Sequence, residues 1–193
     1  LQLFQEFRPD TVIHAAALKH VPYLEADWAE GVKTNIFGSI NVIDCAIEAN
    51  VATFVMISTD KAIEPVSMLG ATKRFAEIYA QARDAEEAKQ GTGTRLLAVR
   101  FGNVLGSAGS VVPKFKAQIA RGGPLTVTHP DITRYFMSLS EATQLLLQAG
   151  LMGRSGEILV LDMGDPVRIL DLARDMIRLS GADPDHIPIV FTG

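Results

Sequence analysis

The chain is poor in several features that would have pointed to particular functions. It has a single cysteine, Cys45, in 193 residues. No internal disulfide can form, and a reducing compartment is expected. It has no basic excess: Lys+Arg 18 against Asp+Glu 22 give a formal net charge of -4. An electrostatic nucleic-acid binder usually carries the opposite balance, so nucleic acid is not an expected partner. Long hydrophobic runs are missing too. The longest nearly clean apolar stretch is about Val51–Ile57, and a spanning helix needs roughly 20 apolar residues. The N-terminal LQLFQEFRPD has neither a basic region nor a signal-peptide core, and it lacks an initiator Met. A start inside a longer protein is the expectation. The His residues and the lone Cys show no metal-ligand spacing, so no metal is expected. What remains is globular in character, with 48% hydrophobic and 21% charged residues. The length suits one domain of ordinary size or two small ones.

Two patterns alternate along the chain. Short β-rich runs occupy Thr11–His14, Thr53–Ser58, Leu96–Phe101, Leu125–Thr128, Ile158–Leu161 and Ile187–Phe191. Stretches with helical spacing lie between them. Leu1–Phe7 reads as a helix end stopped at Arg8-Pro9, because the residue before proline avoids the α region. Trp28, Val32, Ile36, Ile40, Ile43 and Ile47 recur as one buried helix face would. Ser67 caps a helix running to about Gln90, and Ser140 caps another through Leu151 with Leu145, Leu146 and Ala149 inward. Ile169, Leu172, Met176 and Leu179 stripe a last helix that stops at Gly181. Strand–helix alternation with nearly all-apolar strands predicts an α/β fold, a doubly wound parallel sheet covered on both faces. After about Gly106 the elements shorten and Gly and Pro become more frequent, as in a smaller, loop-rich lobe.

A glycine fingerprint, Gly150, Gly153 and Gly156 in GLMGRSG, sits in the wrong context for a dinucleotide phosphate loop. Such a loop follows a strand and opens a helix. Here a helix precedes and a strand follows, so the glycines read as a helix stop and turn. Better signals lie at the C-terminal ends of strands, where open α/β sheets bind ligands. HAAALKH follows the first strand; its alanines allow a cofactor to approach the backbone, or form a small-residue packing spot. STDKA follows the second and sets a hydroxyl, a carboxylate and an amine side by side, or is a solvated polar loop. Lys73, in GATKR, lies in the second turn of the helix after Ser67, near the same strand ends, or pairs on the surface with Glu77. RFGNVLGS offers an Asn amide beyond the third strand, or an Asn-Gly turn. Arg134, in HPDITRYF, is a planar fork for a diphosphate, or a solvated surface residue. His14 reads as a core strand residue, and Cys45 as a small core residue.

Taken in order, HAAALKHVP, KTNIFGS, FVMISTDKA, GATKR, VRFGNVLGSAGSVVPKF, VTHPDITRYFM and EILVLDMGDPVRILDLA resemble the extended short-chain dehydrogenase/reductase superfamily. More narrowly, they resemble its polysaccharide-biosynthesis (CapD-like) nucleotide-sugar 4,6-dehydratases. The resemblance implies a Rossmann-like fold and a tightly bound, recycled NAD. It implies removal of hydride from sugar C4, loss of water across C5 and C6, and return of hydride to C6. It places Thr59, Asp60, Lys61 and Lys73 in the catalytic set, with Asp60 as the acid for the C6 hydroxyl, Lys61 as the C5 base and Thr59 near the 4-hydroxyl. A lysine base needs a depressed pKa, and an aspartic acid needs a raised one. All three can reach one sugar only if the chain turns there, because neighbours on a straight strand face opposite ways. The cofactor falls to Ala15, Ala16, Ala17, Lys73 and Phe101, and the substrate to Lys19, His20, Asn103 and Arg134. Asn35 matches a structural residue of the active-site helix.

The chain departs from the superfamily at Leu69, which stands four residues before Lys73 where a Tyr is usual. The longer, membrane-anchored dehydratases of this group carry Met there, and here Met68 is one place out of register. Hydroxyl deprotonation then falls to Thr59, Asp60, Lys61 or water. The family pattern also makes 1–106 a partial NAD-binding domain without its Gly-rich strand–helix unit. It makes 107–193 mainly a substrate-binding lobe, truncated at its end, with segments returning to the main sheet. Further implications are a UDP-sugar substrate, a homo-oligomer, membrane attachment only through segments outside this sequence, and a cytoplasmic or inner-membrane-face location. The favoured activity is dehydration of UDP-N-acetylglucosamine for surface polysaccharide, with the isolated piece inactive and poor in NAD affinity. The alternatives are a nucleotide-sugar epimerase or reductase of the same superfamily, or a non-catalytic nucleotide-binding module.

Overall fold

The computed structural model describes residues 1–91, 93–183 and 186–193. They form two compact units, Leu1–Phe101 with Thr143–Leu161, and Gly102–Ala142 with Asp162–Gly193. The chain runs through α1 (Gln2–Phe7), β1 (Thr11–His14), α2 (Val21–Ala26), α3 (Trp28–Gly31), a π-helical turn (Val32–Phe37), α4 (Gly38–Glu48) and β2 (Thr53–Ile57). A 3₁₀ turn (Asp60–Ala62), α5 (Met68–Gln90) and β3 (Arg95–Arg100) follow. Next come β4 (Asn103–Val104), α6 (Val111–Ala120), β5 (Leu125–Val127), β6 (Thr133–Arg134) and β7 (Phe136–Met137). The last elements are α7 (Leu139–Met152), β8 (Ile158–Val160), β9 (Val167–Arg168), α8 (Ile169–Leu179) and β10 (Ile189–Phe191).

In the first unit β1, β2, β3 and β8 form one parallel sheet in that order. The period-2 alternation of a strand divides its side chains between two cores. Phe54 and Met56 of β2, with Leu96 and Ala98 of β3, pack against Ile43, Ala46, Ala76 and Ala80 from α4 and α5. Val55, Leu97 and Val99 turn the other way, onto Leu146 and Ala149 of α7. Both faces are therefore covered, which is why these strands read as continuous apolar runs. The second unit is built around Phe115, Leu125, Val127, Ile169, Ala173, Ile177 and Ile187. Its strand pairs are β5 with β10 and β4 with β7, both parallel, and β6 with β9, antiparallel.

Several sequence expectations need correcting. The β-rich runs overreach by a residue or more. Thr53–Ser58 ends as strand at Ile57, Leu96–Phe101 shifts to Arg95–Arg100, Leu125–Thr128 ends at Val127, and Ile158–Leu161 ends at Val160. Ile187–Phe191 starts as strand only at Ile189, because Pro188 lacks an N–H and joins the pairing only through its carbonyl, which accepts from Leu125 N at 2.9 Å. Of the stripe from Trp28 only Ile43 is fully buried, and Trp28 is 60% exposed. The inner positions are Gly31, Asn35, Ser39, Ile43 and Ala46, small or polar in the first turns, and the π-helical stretch widens their spacing. Leu179, expected in the stripe of α8, is 87% exposed in its last turn, and Leu170, Ala173 and Ile177 complete the buried side with Ile169. The cap of α7 is Ser138 rather than Ser140. Its Oγ accepts from Glu141 N at 3.2 Å, and its own N donates to Glu141 Oε2 at 2.8 Å, a reciprocal capping box. By contrast, Ser67 does cap α5, accepting from Gly70 N at 3.2 Å, and that helix ends at Gly91 with φ 71°. Among the described residues, no helix is long and apolar enough to cross a membrane.

The GLMGRSG glycines have a packing role. A methyl on Gly150 would lie 3.2 Å from Val55 Cγ2, and one on Gly153 3.1 Å from Leu97 Cδ1. Arg95 closes the end of α7, donating to the carbonyls of Gly150 and Gly153 and to Thr53 Oγ1.

Candidate active site

The candidate residues of the first unit gather beyond the C-terminal ends of β1 and β2. After Ile57 the backbone stays extended through Thr59 (φ -145°, ψ 155°) and then winds into the 3₁₀ turn. Thr59 caps that turn, its Oγ1 accepting from Lys61 N at 3.4 Å. Asp60 N donates to Phe101 O at 3.2 Å, tying the turn to the end of β3. The chain thus bends between Thr59 and Ala62, and the three side chains can face one another. Thr59 Oγ1 and Lys61 Nζ both donate to Asp60 Oδ1 at 2.9 Å, so the three side chains share one centre. Asp60 and Lys61 are about one-third exposed and remain reachable from solvent.

The turn is pressed against the first turn of α5. A methyl group added to Gly70 would overlap the Lys61 carbonyl oxygen and touch Pro65. One turn further on, Lys73 is 5% exposed and donates from Nζ to Ile57 O at 2.8 Å. The surface pair with Glu77 is not formed. Burial pushes the Lys73 ammonium down to about 8, with the Glu77 carboxylate pulling it partly back. Leu69, at the usual Tyr position, is 6% exposed.

Segment 15–18 leaves β1 with Ala15 and Ala16 exposed and Ala17 half-buried. Asn35 holds its far end, accepting from Leu18 N at 2.8 Å and donating to Leu18 O at 2.9 Å and to Thr72 Oγ1 at 3.2 Å. It is a structural clamp between this segment and α5. Behind it, Ser39 Oγ donates to Asn35 O at 2.7 Å. That leaves His14 Nε2, 3.0 Å from Ser39 Oγ, as the donor. Burial, and then the Lys73 charge, push His14 down to about 4, so at neutral pH it is uncharged, as a core strand residue should be.

Glu77 and its partners were not legible as part of this region. Glu77 is fully buried and accepts from Ser58, Arg74 and Arg100. Burial alone would push its carboxyl up; the hydrogen bonds from Arg100, Ser58 and Arg74 prevail and hold it below the usual range. The signal available was a polar residue at i+4 from Lys73 together with an Arg ending an apolar strand. Of the other candidates, Lys19 and His20 are exposed at the start of α2, and Phe101 is half-buried. Asn103 and Arg134 belong to the second unit. Asn103 is half-buried in β4, with its N donating to Tyr135 O at 3.1 Å. Arg134 is exposed in β6, with Nη1 donating to Thr133 O at 2.8 Å.

Comparison with known proteins places this geometry among relatives. The sequence model of the polysaccharide biosynthesis protein family matches residues 1–193. The capsular polysaccharide biosynthesis protein CapD of Staphylococcus aureus is 53% identical over 193 residues, 100% of this chain and 32% of CapD. A UDP-glucose 4-epimerase of Rickettsia canadensis is 44% identical over 151 residues, 78% of this chain and 44% of the epimerase. The chain therefore spans about a third of the first relative and less than half of the second. DesIV, a dTDP-glucose 4,6-dehydratase of Streptomyces venezuelae with NAD and TYD bound, superposes with a TM-score of 0.85 at 22% identity. That match covers 100% of this chain and 64% of DesIV, and it identifies the fold as Rossmann-like α/β.

Proposed function

The chain belongs to the polysaccharide biosynthesis protein family, and from that premise we propose that it carries the active-site part of an NAD-dependent 4,6-dehydratase of UDP-N-acetylglucosamine. The observation that carries the reading is the Thr59–Lys61 turn, which puts a hydroxyl, a carboxylate and an amine on one centre. Hydride exchange at C4 needs a base for the hydroxyl proton alone, whereas an elimination across C5 and C6 needs a further base and an acid together. Residues 1–106 serve the cofactor and 107–193 mainly the substrate, whose diphosphate falls to Asn103 and Arg134 and whose sugar falls to Lys19 and His20.

The residues present fit the cofactor. Ala15 and Ala16 present exposed backbone without bulky side chains at a strand end, and Lys73 Nζ has two further N–H groups besides the one used on Ile57 O. Ala17 and Phe101 complete that set. NAD, when bound, supplies the hydride acceptor and donor. The protein's own part is proton movement. In the resting turn Lys61 and Asp60 form an ion pair at 2.9 Å. A bound sugar that excludes water disfavours the two charges, so the proton shifts from Lys61 to Asp60. This single shift creates both working forms, a neutral amine beside C5 and a protonated carboxyl beside the C6 hydroxyl. Lys61 takes the C5 proton, Asp60 gives its proton to the departing hydroxide, and the ion pair is restored. Thr59 orients the 4-hydroxyl and, with Leu69 in place of a tyrosine, passes its proton to water as C4 is oxidised; Lys61 returns a proton to C5 as C6 is reduced.

The test is to give the full-length protein UDP-N-acetylglucosamine and follow the mass of the nucleotide sugar. A product lighter by one water is expected, and its formation should be lost in Lys61→Ala. An isomer of unchanged mass would instead make it an epimerase, the activity named for the Rickettsia relative. Retained NAD without turnover would make it a binding module.

A further inference from the structure

The mechanism above leaves unused the buried charged centre beneath the Thr59–Lys61 turn. Glu77, on α5 one helical turn beyond Lys73, collects four hydrogen bonds. Ser58 Oγ donates at 2.5 Å, Arg100 Nε at 2.7 Å, Arg100 Nη2 at 2.5 Å and Arg74 Nη1 at 3.0 Å. Arg100 Nη2 also reaches Ala62 O at 3.5 Å. Two of these contacts bracket the turn: Ser58 directly precedes Thr59, and Ala62 is the last residue of the 3₁₀ stretch. The centre joins the end of β3, the residue after β2 and the body of α5.

Buried ion pairs are a poor source of stability, since apolar side chains of equal volume do as well or better. What a bidentate Arg–carboxylate pair does supply is direction. Here the direction runs to both ends of the segment carrying Thr59, Asp60 and Lys61. We propose that Glu77 and Arg100 are positioning residues that hold this turn in the bent, hydrogen-bonded form, acting through Ser58 and Ala62. They touch no reacting atom. The proposal rests on the dehydratase reading for its catalytic consequence and on the hydrogen bonds alone for its structural one.

The experiment pairs two readouts on the full-length protein and on its Ser58→Ala and Glu77→Gln variants. Hydrogen exchange is followed in peptides covering residues 58–63 and in peptides from β2, β3 and α5, and steady-state dehydration is measured alongside. In Ser58→Ala, exchange in 58–63 should rise about tenfold while the strand peptides keep their protection. The kcat should fall by about 10²-fold, with KM and bound NAD changed less than about threefold. Glu77→Gln should do the same more strongly; if it does not fold, Ser58→Ala, which removes one bond, decides the matter. Unchanged exchange in 58–63, or a rise spread evenly over the unit with kcat following the folded fraction, would overturn the proposal. Absence of dehydration in the unmodified protein would overturn the dehydratase reading instead, and the exchange comparison would still decide whether the turn is held from Glu77.

Discussion

The segments that follow β1 and β2 are each braced from within by buried polar groups, and the two braces differ in kind. After β1 the brace is neutral. Asn35 clamps Leu18 through both its main-chain groups, Ser39 backs Asn35, and an uncharged His14 backs Ser39. After β2 the brace is charged, with Glu77 held by Arg100, Arg74 and Ser58. An amide clamp fixes a length of backbone and leaves its field alone, which suits the cofactor segment proposed above. A buried carboxylate–guanidinium pair also sets the potential nearby, which suits the proton-transferring turn proposed above. Lys73 is where the two meet: its charge acts on His14, and Glu77 acts on it.

The contrast can be broken from the charged side first. Glu77→Ala leaves Arg100, whose side chain is only 12% exposed, without its partner and should cost about 3 kcal/mol of unfolding free energy in urea titration. A loss below about 1 kcal/mol would mean that solvent already reaches the pair. The neutral side should respond to acid. His14 has its pKa lowered from 6.5 to about 4, so the unfolded chain binds a proton there that the folded one refuses. Its contribution is fully present above pH 6.5 and is lost as pH falls toward 4. Between pH 6.5 and 5 the loss should amount to about 2 kcal/mol, and it should be flattened in His14→Gln. Over the same interval the Glu77 centre contributes little slope, because its carboxyl is held below its usual value and the unfolded carboxyl too is mostly ionised there. The smallest effect is expected where the braces meet. Burial of the Lys73 ammonium costs stability at neutral pH, as its lowering to about 8 indicates. Lys73→Met should therefore raise the unfolding free energy at pH 7 by about 1 kcal/mol, while bound NAD and dehydration are lost in the full-length protein. Destabilisation by the methionine would show that the bond to Ile57 O outweighs the desolvation.

Much of the frame was readable because local and tertiary signals agreed. Ser67, the long α5 and Gly91 form a helix with both ends marked. Thr11–His14 was readable to the residue because Arg8-Pro9 punctuates the chain before it. The Thr59–Lys61 trio was legible as a motif but not as a shape; the bend that unites it comes from the Thr59 cap and the Phe101 carbonyl, and a linear pattern shows neither. The inner face of the α3–α4 stretch was misread because apolar periodicity pointed to Trp28 and Ile36, whereas the fold buries Asn35 and Ser39 for their hydrogen bonds. Glu77 escaped for a similar reason. At i+4 from Lys73 it looks like half of a surface pair, and only the arrival of Arg100 from a distant strand makes it a hub.

The contact at Gly70 has a consequence for how this protein tolerates change. The turn and the helix meet there backbone to backbone, and the one side chain at the contact is the rigid Pro65 ring. Core positions around Phe54 or Leu97 can drift through substitutions that keep volume, but position 70 has no neighbouring sizes to drift through. A single-nucleotide change from glycine to alanine or serine would push the Thr59–Lys61 turn aside while leaving every ionisable group intact. In a saturation library selected for function, residue 70 should therefore behave like a member of the catalytic set, although it has no chemistry of its own.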